Sequence, residues 1–229
     1  MGVNRGTLPI VLDKLVFNAD PFNTACYPGT GTVLSNNLLD KNAGDISGAT
    51  FDEKSFSYDG SNDYIEFAQP NANMDAPIMT IEMWFNPNSE HNGCLYMSRN
   101  LYDSGTNGCQ ILWRSDGKII ARGGGTTAVD FGDINSSGEV VGKWTQLVFT
   151  FNSTTANLYV NGSPSPSTNL TVQEVQVSTQ VACVGCGTAD WGRPYDFNGK
   201  IGPIRIYHKI LTTAEMLQNY NSTKTRFGL

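Results

Sequence analysis

The sequence lacks the features by which membrane, secreted and nucleic-acid-binding proteins are usually recognised. Its 229 residues contain no apolar run near the roughly 20 residues that cross a bilayer. The N-terminal residues lack the apolar stretch and small-residue cleavage site of a signal peptide. The 15 basic residues are scattered among 21 acidic ones, whereas phosphate binding needs clustered Lys and Arg. We therefore expect no membrane insertion, no signal-peptide secretion and no nucleic-acid partner.

The five cysteines do not form a recognisable metal or disulfide framework. Cys183 and Cys186 make a single Cys-Val-Gly-Cys sequence, but no second Cys or His pair lies at the spacing of a zinc site. An odd number of cysteines without a signal peptide favours reduced thiols, as in a protein made in the cytoplasm. We expect buried cysteines in strands and no firmly indicated cofactor, calcium being the one ion considered further.

Catalytic motifs are also missing. Retaining glycoside hydrolases need two carboxylates about 5–5.5 Å apart, which alternate positions on one strand face would supply. Here Glu82 and Glu174 each stand alone in their strand segments. His91 and His208 have no Gly-X-Ser-X-Gly sequence near them, and no phosphate-binding glycine loop opens a helix. We therefore expect a protein that is not an enzyme.

The sequence does contain many short strand patterns separated by turns rich in Gly, Asn and Ser. In the segment 78–87 apolar residues alternate, so that Glu82 and Trp84 lie on the face opposite Met83 and Phe85. Three tryptophans in strand patterns are expected to pack in the core or between the sheets. They are Trp84, Trp113 and Trp144.

These patterns predict the fold class and its boundaries. Strands dominate and do not alternate with helices, which indicates an all-β protein with antiparallel sheets. We expect an arm at residues 1–9 and one domain at 10–229, whose first strand spans Ile10–Phe17. One helix is predicted near the C-terminus, where Thr212 and Glu215 form a capping box.

Four segments in order along the chain carry a family resemblance. They are SFSYDGSNDYIEF (55–67), MTIEMWFNP (79–87), GKWTQLVFTFNSTTANLYVNG (142–162) and FNGKIGPIRIYHKILTTAEMLQNY (197–220). Together they resemble the laminin G-like, concanavalin A-like jelly-roll family over nearly the whole chain. The resemblance implies a two-sheet antiparallel jelly-roll sandwich with one short C-terminal helix.

Two further segments resemble laminin G-like proteins encoded by tailed bacteriophages. They are CYPGTGTVLSNNLLDKNAGDISGATF (26–51) and QNYNSTKTRFGL (218–229). This resemblance implies a virion structural protein, made in the host cytoplasm and located at the virion surface as a capsid decoration or outer-surface component. Its partners would be other virion proteins and host surface glycans. The alternative is a carbohydrate-binding adhesin, a tail-associated receptor-binding module that recognises host polysaccharide.

Two loops carry the residue types that sugar recognition needs, which are aromatic rings beside Arg and Asp side chains. In the loop 188–199, Trp191 either contacts ligand or packs under its own loop. The other loop spans 98–108. The candidate ligand-binding residues are Trp191, Arg193, Tyr195, Asp196, Arg99 and Tyr102.

The turn between two predicted strands is rich in oxygen ligands. Asp59, Asn62 and Asp63 could bind calcium together with carbonyls from the segment 196–200, since calcium prefers carboxylate, amide and carbonyl oxygens. The same residues also suit a tight turn, because Asx side chains bond to nearby backbone N–H groups. The pair at 202–203 is Gly-Pro where the resembled family has two acids, which reduces the ligand set. Both interpretations remain open.

Overall fold

A computed structural model gives the structure of most of the chain. The described residues are 9–38, 43–67, 74–98, 108–123, 140–152, 155–164, 178, 180–189 and 192–229. Within them the chain forms fifteen strands and one α-helix, followed by a 3₁₀ turn. No helix among these residues is long and apolar enough to cross a membrane.

In chain order the strands are β1 (Leu15–Ala19), β2 (Val33–Ser35), β3 (Ala43–Ser47), β4 (Thr50–Phe51), β5 (Phe56–Asp59), β6 (Tyr64–Phe67), β7 (Met79–Pro87), β8 (Gly93–Met97), β9 (Cys109–Trp113), β10 (Ile119–Gly123), β11 (Thr145–Phe151), β12 (Ala156–Val160), β13 (Ser163–Pro164), β14 (Ala182–Val184) and β15 (Asn198–Tyr207). Helix α1 spans Thr213–Thr223, and the 3₁₀ turn spans Lys224–Phe227.

The strands form two antiparallel sheets. The first has the order β13-β12-β11-β7-β15-β5-β4, with β1 also paired to β15. The second has the order β10-β9-β8-β14-β6-β3-β2. The predicted fold class is therefore confirmed: the described chain is an all-β sandwich of two antiparallel sheets with one short C-terminal helix.

The core lies between the inner faces of the two sheets. Aromatic side chains of one sheet contact those of the other across this core. Phe17 of the first sheet meets Phe67 of the second edge-to-face, with ring centroids 5.0 Å apart. Phe85 of the first sheet meets Trp113 of the second at 6.0 Å. All four side chains are fully buried, as expected where aromatic pairs dominate inter-sheet packing. Trp113 thus lies where the sequence predicts.

The outer face of the first sheet is covered by the C-terminal segment. Trp84, on β7, stacks against Phe227 at 4.5 Å and against Tyr220 at 5.8 Å. Trp144 also contacts Phe227, at 4.4 Å. The capping box predicted for Thr212 is present at the start of α1. Because this segment covers the sheet, both faces of the central strand β7 are buried, and Trp84 packs outside the sandwich core rather than within it.

Strand β15 contains the Gly-Pro pair that replaces two acids of the resembled family. Its pairing with β7 is irregular between Ile201 and Ile204, which leaves Gly202 and Pro203 at the break. Pro203 has no N–H to donate, so it suits a break in the ladder. A Cβ at Gly202 would lie 3.1 Å from Phe227 Cζ, so the glycine lets the C-terminal turn pack closely on the sheet.

The predicted first strand was wrong in its first half. Residues before Leu15 form a turn in which the Leu15 N–H donates to the Leu12 carbonyl at 3.2 Å. Lys14 adopts a φ of +58°, which a strand does not accommodate. The strand therefore begins only at Leu15. The boundary between an arm and a domain stays a prediction.

Candidate functional site

The acidic turn after β5 is a closed set of local hydrogen bonds. The Ser61 N–H donates to Asp59 Oδ1 at 2.7 Å, and the Asp59 N–H donates to Asp63 Oδ2 at 2.7 Å. Gly60 and Asn62 both have positive φ, at +89° and +62°, which Gly and Asn adopt most readily in tight turns. The side chains therefore hold the turn in shape.

The segment 196–200 lies beside this turn. Asn198 of β15 pairs with Asp59 of β5, and the Asn62 N–H donates to Asp196 Oδ1 at 3.2 Å. Burial raises the pKa of Asp63, and the nearby carboxylates of Asp59 and Asp196 raise it further. Three carboxylates therefore face one small region of the sandwich rim.

The fit of this region to calcium is limited by Asp63. One of its oxygens accepts from a backbone N–H, and the other lies against Gly48, where a Cβ would approach within 1.9 Å. Only 8% of Asp63 is exposed. No group of three or more His, Cys, Asp or Glu side chains arranged for a metal ion occurs among the described residues. This geometry favours the hydrogen-bonded turn, and calcium binding by Asp59, Asn62 and Asp63 stays a prediction.

The described part of the predicted sugar loop is turned toward the protein. The Arg193 guanidinium pairs with Glu66 and lies 3.9 Å from the centre of the Tyr64 ring. Tyr195 packs against a small apolar cluster on the outer face of the second sheet. Asp196 belongs to the acidic turn. Trp191, Arg99 and Tyr102 lie outside the described residues, so the structure does not place the predicted site as a whole.

A polar cleft that the sequence did not indicate lies at the end of β1. Its volume is about 290 Å³. It is bounded by the loop after β1, by the C-terminal half of β15 and by the end of α1 with its 3₁₀ turn. Its polar lining includes Asn18, Asp20, Asn23, Asn37, Arg205 and Arg226.

Charged groups in the cleft are held by a continuous network. Arg226 Nη1 donates to both carboxylate oxygens of Asp20, at 2.7 and 2.8 Å. Arg205 Nη2 lies 3.7 Å from Asp20, and Arg205 Nη1 donates to the buried Glu82 at 2.8 Å. Burial opposes the Arg205 charge, but the Glu82 and Asp20 carboxylates more than offset it and raise the pKa of Arg205. The charges of the cleft wall are thus balanced by one another.

Two residues that line this cleft each carry a buried polar atom that has no hydrogen-bond partner among the described residues. These atoms are Asn18 Oδ1, an acceptor, and Arg205 Nε, a donor. Asn18 is 5% exposed, and its Nδ2 donates to Asn37 at 3.0 Å, which fixes the amide. Buried polar atoms are rarely left without partners, and a ligand is one explanation. A single hydroxyl group satisfies either atom, because it both donates and accepts.

An exposed aromatic ring stands beside the cleft. Phe22 is 55% exposed, and the Arg226 guanidinium carbon lies 4.4 Å from the centre of its ring. The Phe22 N–H donates to Asp20 Oδ1 at 3.1 Å, which ties the ring to the cleft wall. The arrangement joins an apolar platform to amide, carboxylate and guanidinium groups, which can bind the ring face and the hydroxyls of a sugar.

Comparison with known proteins gives one family and a set of similar folds. The family model of the concanavalin A-like lectin/glucanases superfamily matches residues 59–216. No curated protein matches the chain. Trypanosoma rangeli sialidase in complex with the inhibitor DANA has a TM-score of 0.69 and 13% identity, covering 96% of this chain but 36% of the sialidase.

Two other solved structures are similar at low identity. The receptor-binding domain of botulinum neurotoxin C/D mosaic serotype has a TM-score of 0.63 and 13% identity, over 90% of this chain and 51% of that one. Domain 4 of AbnA, an arabinanase from Geobacillus stearothermophilus, in complex with arabinotriose has a TM-score of 0.59 and 17% identity, over 90% and 98%. At these identities the likeness shows the fold alone.

Proposed function

Because the chain belongs to the concanavalin A-like lectin/glucanase superfamily, we propose that it is a carbohydrate-binding protein that uses the polar cleft beside Phe22. The observation that carries this proposal is the pair of buried unpartnered atoms, Asn18 Oδ1 and Arg205 Nε, in two residues that line the cleft. Each atom has less than 1 Å² of exposed surface, so a sugar hydroxyl would donate to the first or accept from the second after a small shift of the side chain. The similar domain 4 of AbnA was solved with arabinotriose, which is consistent with sugar binding on this fold.

The charge balance of the cleft favours a neutral sugar. Two guanidinium groups, Arg205 and Arg226, face two carboxylates, Asp20 and Glu82, in contacts of 2.7 to 3.7 Å. No excess positive charge is left to hold a sialate or uronate group. Hydroxyl-rich neutral rings, stacked on Phe22, suit the site better than anionic ones.

The cleft also supports a role without catalysis. Among the described residues that line it, Asp20 is the single carboxylate, and it is paired with Arg226. Glu82 is fully buried behind Arg205. A retaining mechanism needs two carboxylates about 5–5.5 Å apart and open to the substrate. We therefore propose that the protein is not an enzyme.

Binding to an array of neutral and acidic saccharides, followed by calorimetry with the best neutral ligand, tests the carbohydrate proposal. Phe22→Ala should weaken binding about three- to tenfold, the range expected for loss of a stacked aromatic contact. Ile78→Ala is the matched control, because Ile78 is 49% exposed and does not line the cleft. An array without neutral ligands, or equal weakening by both variants, would overturn the proposal.

We further propose that the protein is a component of the surface of a tailed-bacteriophage particle, as a capsid decoration. The support is the resemblance of segments 26–51 and 218–229 to such proteins, together with five buried cysteines that form no disulfide. It would be made in the host cytoplasm and would contact other virion proteins, with host surface glycans bound through the cleft. The alternative is a tail-associated adhesin.

Experiments on purified phage particles distinguish a capsid decoration protein from a tail-associated adhesin. Mass spectrometry should detect the protein, and gold-labelled antibody should mark the head for a decoration protein or the tail for an adhesin. Absence of the protein from purified particles would refute both virion assignments. That result would leave the carbohydrate proposal standing, since it depends on the cleft alone.

A further inference from the structure

Two cysteines outside the cleft share one guanidinium group. Arg193 Nη1 lies 3.6 Å from Cys183 Sγ and 3.9 Å from Cys186 Sγ. Both thiols are free and have no exposed surface. The two thiols are also close enough to each other to share a hydrogen bond, and such proximity is the first requirement for a bond between the sulfurs.

The local fold explains why the two cysteines meet. Cys183 is the middle residue of β14, whose neighbours Ala182 and Val184 face the core, so its side chain lies on the outer face. It stands opposite Glu66 of β6 in the sheet register. The chain then turns at Gly185, which has a φ of +88° and where a Cβ would lie 2.3 Å from Tyr58. This turn brings Cys186 back beside Cys183.

The loop that follows places Arg193 over the pair. The Gly187 N–H donates to the Pro194 carbonyl at 2.7 Å, which closes the loop on itself. Arg193 has a φ of +51° and pairs with Glu66, while its guanidinium covers the Tyr64 ring. About a quarter of the Arg193 side chain is exposed, at 26%. This side chain therefore stands between the two sulfurs and solvent.

The two sulfurs are not equivalent. The hydrogen bond from the Cys183 thiol, followed by the contact with Arg193, lowers the pKa of Cys186. The same hydrogen bond, burial and the nearby Glu66 carboxylate raise the pKa of Cys183. Cys186 is therefore the more acidic of the two thiols, and in the reduced protein its Sγ–H donates to the Gly187 carbonyl at 3.1 Å. Reactivity of cysteine follows both the thiolate and access to it, so the reaction requires the partly exposed Arg193 side chain to move aside and admit peroxide.

We propose that Cys183 and Cys186 form a redox-modification site, which hydrogen peroxide converts to an intramolecular disulfide. Cys186 gives up its thiol proton, its sulfur attacks one peroxide oxygen, the O–O bond breaks, and the leaving hydroxide takes up that proton to become water. Cys186 is then a sulfenic acid. The Cys183 sulfur attacks the Cys186 sulfur, the S–O bond breaks, and the leaving hydroxide takes the Cys183 proton as a second water. Two thiols are oxidised and one peroxide is reduced.

The disulfide changes the contacts that Arg193 makes. In the reduced protein Arg193 contacts two sulfurs, Glu66 and Tyr64. A disulfide draws the sulfurs to about 2.05 Å from each other and replaces the two thiols that Arg193 contacts. Arg193 then keeps Glu66 and the ring alone. Because the cleft beside Phe22 is built from other residues, oxidation and sugar binding can be measured separately.

The test uses the folded protein, purified with reductant and exchanged into hydrogen peroxide. After quenching, it is denatured, alkylated with N-ethylmaleimide and digested. The peptide that contains Cys183 and Cys186 should lose two hydrogens and resist alkylation, while Cys26 and Cys109 should remain alkylated. Retention of both thiols in that peptide would refute the proposal. So would a disulfide that joins Cys94 to Cys186, or loss of Cys26 at the same rate.

Variants test the assigned roles. Cys183→Ser keeps a hydrogen-bond donor and should stop the reaction at a Cys186 sulfenic acid, which dimedone labels. Cys186→Ser should give neither disulfide nor dimedone adduct, and Cys26→Ser should react as the unaltered protein does. The pH dependence of the rate of Cys186 alkylation is a second readout. A change in access alone alters this rate but not the pH of its midpoint. Arg193→Gln should shift its midpoint upward, and an unchanged midpoint would contradict the role of Arg193.

Discussion

Arg205 and Glu82 form a buried ion pair across adjacent strands, with Arg205 Nη1 donating to Glu82 Oε1 at 2.8 Å. Glu82 has no exposed surface and Arg205 is 2% exposed. Gln146 and Asn219 also donate to the Glu82 carboxylate. The pair therefore joins β7, β15, β11 and α1, and it orients Arg205 toward Asp20 in the cleft.

Removing Glu82 should destabilise the protein strongly. Glu82→Ala leaves Arg205 buried without its main partner, and breaking a buried pair in this way costs about 3–5 kcal/mol. Glu82→Gln keeps one acceptor oxygen and should cost less. Urea unfolding measures both. The exposed Glu90→Ala should change the free energy of unfolding by less than about 0.5 kcal/mol. A loss below about 1 kcal/mol for Glu82→Ala would show that water replaces the carboxylate.

Asp75 should make the protein less stable as the pH rises from about 4 to about 6. Burial raises the pKa of Asp75 from 3.8 to about 6, although Ser98 and the Ser178 N–H donate to it. The folded protein thus holds the Asp75 proton more tightly than the unfolded chain. The resulting stability is fully present below pH 3.8 and is lost through about pH 6. Its size is on the order of 2–3 kcal/mol.

Urea unfolding at several pH values measures this dependence. Asp75→Asn cannot ionise, so the fall in the free energy of unfolding between pH 4 and pH 6 should be reduced. Asp45→Asn, at an exposed position on β3, is the matched control and should keep the original slope. Equal slopes for Asp75→Asn and the unaltered protein would contradict the assignment to Asp75.

Local sequence patterns predicted the elements that depend on neighbours in the chain. The alternation in β7 and the capping box at Thr212 are each set by residues within one segment, and each is present. The sequence names the segment 196–200 only as a possible source of further calcium ligands. The structure places it beside the acidic turn, where Asn198 pairs with Asp59, and calcium binding itself stays a prediction.

The cleft could not be predicted in this way. Asp20 and Arg226 are 206 residues apart, and only the docking of the C-terminal turn on the first sheet brings them together. The burial of Glu82 has the same cause, because a period-two pattern does not reveal that a helix covers the outer face. Arg193 looks like a free ligand-binding residue in the sequence, but its positive φ turns it toward Glu66.

The acidic turn should be stable without metal. In the absence of calcium, ionised Asp63 is disfavoured by burial and by Asp59 and Asp196, as its raised pKa shows. Asp63→Asn keeps an acceptor for the Asp59 N–H and removes a negative charge, so the melting temperature at pH 7 should stay equal or rise. Asp63→Ala loses the acceptor and should cost about 1–3 kcal/mol. A calcium-dependent rise in melting temperature that Asp63→Asn abolishes would instead establish the calcium site.

Arg226 should control sugar affinity through its planar shape as well as its charge. Its guanidinium donates to both oxygens of Asp20 and faces the Phe22 ring at 4.4 Å, so it holds the aromatic platform beside the cleft. Both bonds to Asp20 come from Nη1, so the single lysine nitrogen can replace them, but lysine provides no flat surface against the Phe22 ring. Arg226→Lys should therefore weaken binding of the best neutral array ligand about tenfold, measured by calorimetry. Arg114→Lys alters an exposed arginine paired with Asp116 outside the cleft, and it should bind as the unaltered protein does. Full affinity in Arg226→Lys would show that the contact of the Arg226 guanidinium with the Phe22 ring takes no part in recognition.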